Sequence, residues 1–204
     1  MLCLTLSGPP GAGKTTHGVK LAAALGVPHI SVGSLLRAEK DAGRLDADTI
    51  ATMDRGDLVP ADIVARVLAK RLDQPDAQNG FVLDGFPRRV EDMKVLDILN
   101  ETHPLPQIPM VFLNVPHKEI MKRIRQRRKN GEKRDDDKPS VVKHRLHVYS
   151  KETRPVLKVY KERGMLYGVG GVGPIDVVTR RVFAAAHRAL GVEIPPPPPD
   201  EPQA

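Results

Sequence analysis

A short apolar run, LCLTL at residues 2–6, leads almost directly into GPPGAGKTT at residues 8–16. Few folds accept that order. The apolar run reads as a buried strand, the glycines as a tight loop, and the residues from Lys14 as the start of a helix. Gly8, Gly13, Lys14 and Thr15 fall at the spacing G-x-x-x-x-G-K-[ST]. Glycines let successive backbone N–H groups converge on phosphate oxygens, and a helix N-terminus adds partial positive charge. The backbone of Gly8, Gly11, Ala12 and Gly13 therefore reads as the cradle. Lys14 would reach the β and γ phosphates, and a hydroxyl from Thr15 or Thr16 could hold Mg²⁺ or its water. The alternative is a glycine-rich turn with a chance lysine; the order strand, loop, helix speaks against it. The motif implies a bound nucleoside triphosphate but not the reaction.

The rest of the chain alternates strands and helices. Helices are expected at about Lys14–Leu25 (ended by Gly26), Ser34–Lys40, Ala47–Met53, from Pro60 and Asp62, and at Ile175–Leu190. Strands are expected in VPHIS, FVLDGF, IPMVFLNV and MLYGV. IPMVFLNV is continuously apolar, as in a sheet buried on both faces. Two charged segments, His117–Lys129 and Pro139–Arg163, flank Asn130-Gly131, and the tail EIPPPPPDEPQA reads as extended or disordered. The pattern predicts an α/β fold: a parallel sheet flanked by helices on both faces, with ligands at the carboxyl ends of its strands.

Composition narrows the function. With 3% aromatic residues and no Trp, stacking surfaces for nucleic acid are scarce, although the net charge of +7 suits polyanions. Cys3 is the only cysteine, which excludes internal disulfides and cysteine zinc sites and suits a reducing, cytoplasmic setting. No basic leader precedes LCLTL, and no apolar run approaches the ~20 residues of a membrane span. None of the seven histidines has metal-ligand spacing.

Asp84, closing FVLD before Gly85, is the expected second half of the phosphate site, holding Mg²⁺ through water. Arginines complete the pattern. Arg37 ends SVGSLLR, Arg88 ends DGFPR, Arg123 and Arg127 lie four apart on one helix face, and Arg134 and Arg145 follow. A guanidinium grips phosphate bidentately and keeps its charge.

With GPPGAGKTT, SVGSLLR, GDLVPADIV, DGFPRR, RIRQRR, RDDDKPSVVKHRL and YSKETRPVLKVYKERG in this order, the chain resembles the adenylate kinase family of nucleoside monophosphate kinases over about residues 1–190. The resemblance implies a five-stranded parallel sheet and transfer of the γ-phosphoryl group of ATP to a monophosphate, with Mg²⁺. It implies one kinase domain at 1–192: a core near 1–30, 54–122 and 146–192, a monophosphate-binding lobe near 31–72, a short lid near 123–145, and a tail at 193–204. It further implies that Lys14 and the loop hold the donor phosphates, that Arg37 and Arg88 grip the acceptor phosphate, and that Arg123, Arg134 and Arg145 surround the transferring group. Arg127 would turn toward the donor, and the backbone at Gly173 would border the donor base. The backbone of Asp57, Val59 and Gly85, with Val32 and Asp92, would line the acceptor base. Asp136 and Asp137 would help close the lid, with Gly131 as hinge. A cytoplasmic monomer without nucleic-acid or membrane partners is the expected setting.

Three positions depart from the family pattern. Thr15 stands where the family usually has Gly. Val32 and Ser34 stand where Thr and Asp are usual. Asp92 stands where a Gln usually reads adenine. An ionised carboxylate only accepts hydrogen bonds. It suits the N1–H and N2 amino group of guanine, or the N4 amino group of cytosine, better than adenine N1. Arg89, next to Arg88, could neutralise Asp92 and blunt that preference, so the expected acceptor is AMP, with GMP, CMP or UMP as alternatives. A nucleotide sensor without transferase activity and an RNA-associated ATPase are competing readings; product formation from a monophosphate separates them.

Overall fold

A computed structural model of the chain describes residues 1–103, 105–130 and 138–197. Gly131, Arg134 and the acids Asp135, Asp136 and Asp137 lie outside the described residues. The strands are β1 (Leu2–Ser7), β2 (His29–Ser31), β3 (Gly80–Asp84), β4 (Met110–Asn114) and β5 (Leu166–Gly170). The helices begin with α1 (Lys14–Leu25), α2 (Val32–Asp41), α3 (Ala47–Arg55), α4 (Ala61–Leu72) and α5 (Asp92–Thr102). They continue with α6 (His117–Lys129), α7 (Pro139–Val148), α8 (Arg154–Glu162) and α9 (Ile175–Leu190).

The strands form one parallel sheet, as the alternation of strands and helices predicts, in the order β2-β3-β1-β4-β5. Residues alternate between its faces. On one face Cys3, Ile30, Phe81 and Leu83 bury against Leu36 of α2, Val64 and Leu68 of α4, and Val95 and Leu99 of α5. On the other, Leu4, Leu6, Val82, Val111 and Leu113 bury against Leu21 of α1, Ile120 and Ile124 of α6, and Val182 and Phe183 of α9. Burial pushes the Cys3 thiol up to about 11, so it is inert packing. The register pairs both Leu6 and Ser31 with Asp84, which brings the ends of β1, β2 and β3 to one edge.

Local rules explain most boundaries. Gly26 ends α1 in the left-handed conformation, its N–H bonding back to Ala22 and Ala23. Ser31 caps α2, so that helix starts two residues earlier than its apolar pattern suggests and includes Val32. The helix α5 is absent from the sequence reading. Met93, Val95 and Leu99 bury, but Ile98 stays 57% exposed, which blurs the helical period. The charged stretch Pro139–Arg163 is two helices, joined by a wide turn at Tyr149–Thr153. Pro155 has no N–H to continue the ladder there. Residues 193–197 form no helix or strand, and Ile194 packs onto the second face of the core. Among the described residues no helix is long and apolar enough to cross a membrane.

Leu6 is fully buried at the strand end that feeds the glycine loop. Leu6→Ala is expected to cost ~2–5 kcal/mol, read as a lower urea midpoint with an unchanged slope.

Candidate active site

The glycine loop is shaped by its neighbours. Gly8 has φ +150, and a Cβ there would stand 2.8 Å from the Leu113 carbonyl, so β1 turns away only because that position is bare. Gly13, at φ +93, caps α1, and no acidic residue occupies the first turn of that helix. The positive end of α1 is thus left uncompensated by its own sequence. Ala12 is buried beneath the loop, and its carbonyl accepts from Arg123 Nη1 at 3.3 Å. Arg123 Nη2 donates to Gly171 at 2.7 Å and Nε to Glu119 at 2.9 Å. One guanidinium therefore ties the loop, α6 and the turn after β5 together.

Lys14 Nζ donates to the carbonyls of Gly8 (2.8 Å) and Pro9 (3.0 Å). Thr15 Oγ1 donates to Asp84 Oδ2 at 2.7 Å. Burial alone would raise the Asp84 carboxyl. The His29 imidazole, the Lys14 ammonium and the Thr15 hydroxyl outweigh it and hold the group below its ordinary value of 3.8. His29 Nε2 stands 3.4 Å from Asp84 Oδ2 and, among the described residues, is the one buried side-chain polar atom without a hydrogen-bond partner. At that length we read it as a charge neighbour rather than a bond.

Three clefts meet over the strand ends. The first runs along the loop and includes Gly11, Gly13, Lys14, Thr15, Thr16 and Asp84, with Arg123, Arg127 and Gly173 on its far wall. The second, central one is walled by Gly8, Lys14, Gly85 and Tyr149. The third enters the lobe of α2–α4 and is walled by Val32, Arg37, Asp57, Val59, Gly85 and Asp92, with apolar Leu36, Met53, Val64 and Phe86. Arg88 and Arg145 line all three. Arg37 lines the first and third and donates to Ser34 Oγ at 2.9 Å. Burial, then Arg145 and Arg37, push the Arg88 guanidinium down to about 10, against the opposing pull of Asp84 and Asp92. Like charges held this close are arranged for an anion.

Every sequence-predicted site residue within the described set, apart from buried Ala12, lies on one of these clefts; Arg134 is outside that set. Several carbonyls and acids of the clefts have side-chain partners. The Gly85 carbonyl accepts from Arg88 Nε (2.6 Å) and the Val59 carbonyl from Arg89 Nη2 (2.8 Å). Asp57 pairs with His144 (2.6 Å) and Arg55 (3.0 Å). The Asp92 carboxylate is not free: Oδ2 accepts from the N–H groups of Arg88 and Arg89, and Oδ1 from Arg89 Nε. The Arg89–Asp92 pair is the neutralising contact that the sequence allows, whereas His29, Glu119 and His144 are not among the expected site residues.

Comparison with known proteins agrees with this arrangement. A family model described as adenylate kinase matches residues 6–165. An adenylate kinase of Xanthomonas campestris is 44% identical over 186 residues, covering 91% of this chain and 99% of that protein. An adenylate kinase of Stenotrophomonas maltophilia is 43% identical over 183 residues (89% and 97%), and one of Streptomyces coelicolor 37% over 216 (91% and 98%).

Two outcomes follow from the charges. Arg88→Met relieves repulsion, so the variant without ligand is expected to resist urea at least as well as the parent, while stabilisation by added inorganic pyrophosphate is lost; paired unfolding curves check both. Asp84 ionises more readily folded than unfolded, so its contribution is full above the unfolded value of 3.8 and fades as pH falls below it. Asp84→Asn is expected to cost ~1–3 kcal/mol at neutral pH, and the gap to the parent should close in unfolding curves taken below about pH 4.

Proposed function

The chain belongs to the adenylate kinase family, and from that premise we propose how its clefts carry out the family's reaction. The protein is a phosphotransferase that converts ATP and AMP into two ADP. The observation that carries the mechanism is the position of Arg88 and Arg145 on all three clefts, where donor and acceptor must meet.

ATP lies along the loop cleft. Its β and γ phosphates receive backbone N–H groups of the loop from Gly11 onward and the Lys14 ammonium, which exchanges the carbonyls of Gly8 and Pro9 for phosphate oxygens. Arg127 faces the donor, and the glycine backbone at Gly173 borders its base. AMP enters the lobe cleft. Its base packs against Val32 and the backbone of Asp57, Val59 and Gly85, and its phosphate is gripped by Arg37 and Arg88. An AMP phosphate oxygen then attacks the γ phosphorus in line. The bond from that phosphorus to the β–γ bridging oxygen breaks, and the electron pair leaves with ADP. Arg88, Arg123 and Arg145, joined by Arg134 from the lid, spread charge over the transferring group. Closure of the lid near 123–145 excludes water, which suppresses hydrolysis of ATP.

The donor set suits Mg²⁺. Thr15 and ionised Asp84 present hard oxygens beside the phosphate path, and among the described residues no cluster of three metal-ligating side chains forms a cage. Such a site holds Mg²⁺ through water and phosphate. Thr15 and Asp84, the latter through water, would hold the ion, whose chemistry is to neutralise charge on the β and γ phosphates. A cytoplasmic setting, which the free, buried Cys3 suits, and a monomeric state, which the family resemblance implies, complete the reading.

The test is direct. Purified protein with ATP and Mg²⁺ is offered AMP, GMP, CMP and UMP separately, and diphosphates are resolved by chromatography. ADP from AMP is expected, with Arg145→Met slower by roughly 10³-fold or more and Lys14→Ala inactive. ATP hydrolysis stimulated by RNA, with no diphosphate formed from any acceptor, would sink the kinase reading; so would ATP binding without any turnover.

A further inference from the structure

A buried acid in the base cleft poses a problem for a protein that takes AMP. Asp92 is 2% exposed and lines the lobe cleft, yet a lone carboxylate would confront the lone pair of adenine N1. Its surroundings resolve this. Oδ2 accepts from the backbone N–H groups of Arg88 (2.8 Å) and Arg89 (2.9 Å) and is consumed by the loop. Oδ1 is paired with the Arg89 guanidinium, through Nε and Nη2 at 3.1 Å each. It keeps acceptor capacity beyond that contact, because a carboxylate oxygen carries two lone pairs. Nη2 also donates to the Val59 carbonyl at 2.8 Å, which fixes the guanidinium plane across the cleft. Nη1 meets no protein acceptor among the described residues, and Arg89 itself lines the cleft.

We propose that Arg89 and Asp92 together are the base-reading pair of the acceptor cleft, presenting one donor (Nη1–H) and one acceptor (Oδ1) to the 6-aminopurine edge. The proposal rests on the kinase reading above. The pair does with two opposite charges what a neutral amide does alone. Adenine offers the matching edge, with N1 to accept and the N6 amino group to donate. Guanine reverses both positions, with N1–H and O6, and would set donor against donor. Cytosine matches the pattern but is too small to cover the apolar wall of Val32, Leu36 and Phe86. Unpaired, Asp92 would favour guanine; clamped by Arg89, it favours adenine.

The test starts with the unaltered enzyme and modified acceptors, so that folding is not at issue. Purine riboside 5′-monophosphate lacks the amino group, and 1-deaza-AMP lacks the N1 acceptor. Each is expected to show kcat/KM about tenfold or more below AMP. In Arg89→Met the AMP:GMP ratio of kcat/KM should fall about tenfold or more. In Arg89→Met/Asp92→Gln, where one amide supplies donor and acceptor, the ratio should return to within about threefold of the parent. Analogues used as well as AMP would overturn the proposal. An even loss of AMP and GMP activity in Arg89→Met, with no change in their ratio, would overturn it too, since a pair that merely holds the loop predicts that result. If the unaltered enzyme phosphorylates no monophosphate at all, the kinase reading falls, and this proposal with it.

Discussion

Guanidinium groups repel one another, and gathering them in one cleft demands a frame that cannot relax away. Arg88 sits where burial, Arg145 and Arg37 all weaken its hold on the proton. The frame is the parallel sheet. β1 is flanked by β3 and β4, with buried apolar side chains on both faces, so the strand ends cannot shift without opening a core. Arg88 follows β3 directly, and its Nε is anchored on the Gly85 carbonyl at 2.6 Å. The fold therefore holds that repulsion in place, and on the proposed reading an acceptor phosphate relieves it.

The same edge of the sheet accounts for the opposite sign beside it. Asp84 ends β3 in register with Leu6 and Ser31, and α1 delivers Thr15 to it. A carboxylate held ionised by Thr15, Lys14 and His29 lies next to a helix N-terminus that carries no acid in its first turn. Positive and negative groups are thus separated by a few residues of chain but face one phosphate path. That separation suits a reaction in which charge moves from one phosphate chain to another while the protein stays still.

The lobe and the α7 helix are connected by side chains rather than by backbone. Asp57 of the lobe pairs with His144 of α7, and Gly56 leaves room for the Arg145 side chain, whose Cγ would lie 2.8 Å from a Cβ there. Arg123 performs a similar service on the donor side, where it joins the loop, α6 and the turn at Gly171. Each tie sets where an arginine can reach, so the charges proposed to act on phosphate are placed by contacts elsewhere in the fold.

What the sequence by itself determined is what contiguous residues enforce. The cradle at residues 8–16 was legible because glycine conformations and a helix start are local matters. Parallel strands were legible because apolar runs alternate with helical patterns, and Arg37 and Arg88 because each closes a short motif. The helix α5 was missed, since exposed Ile98 breaks its period and only packing against α4 and the sheet defines the buried face. The partners of Asp92 were decided by tertiary structure. The sequence offers Arg89 as a neighbour that could neutralise it; the fold makes the ion pair, adds two backbone donors, and carries Arg89 on to Val59, 30 positions earlier. His144 and Asp57, 87 positions apart, meet for the same reason. Strand order and the crossings between strands bring distant residues together, and a charge takes its meaning from what stands next to it.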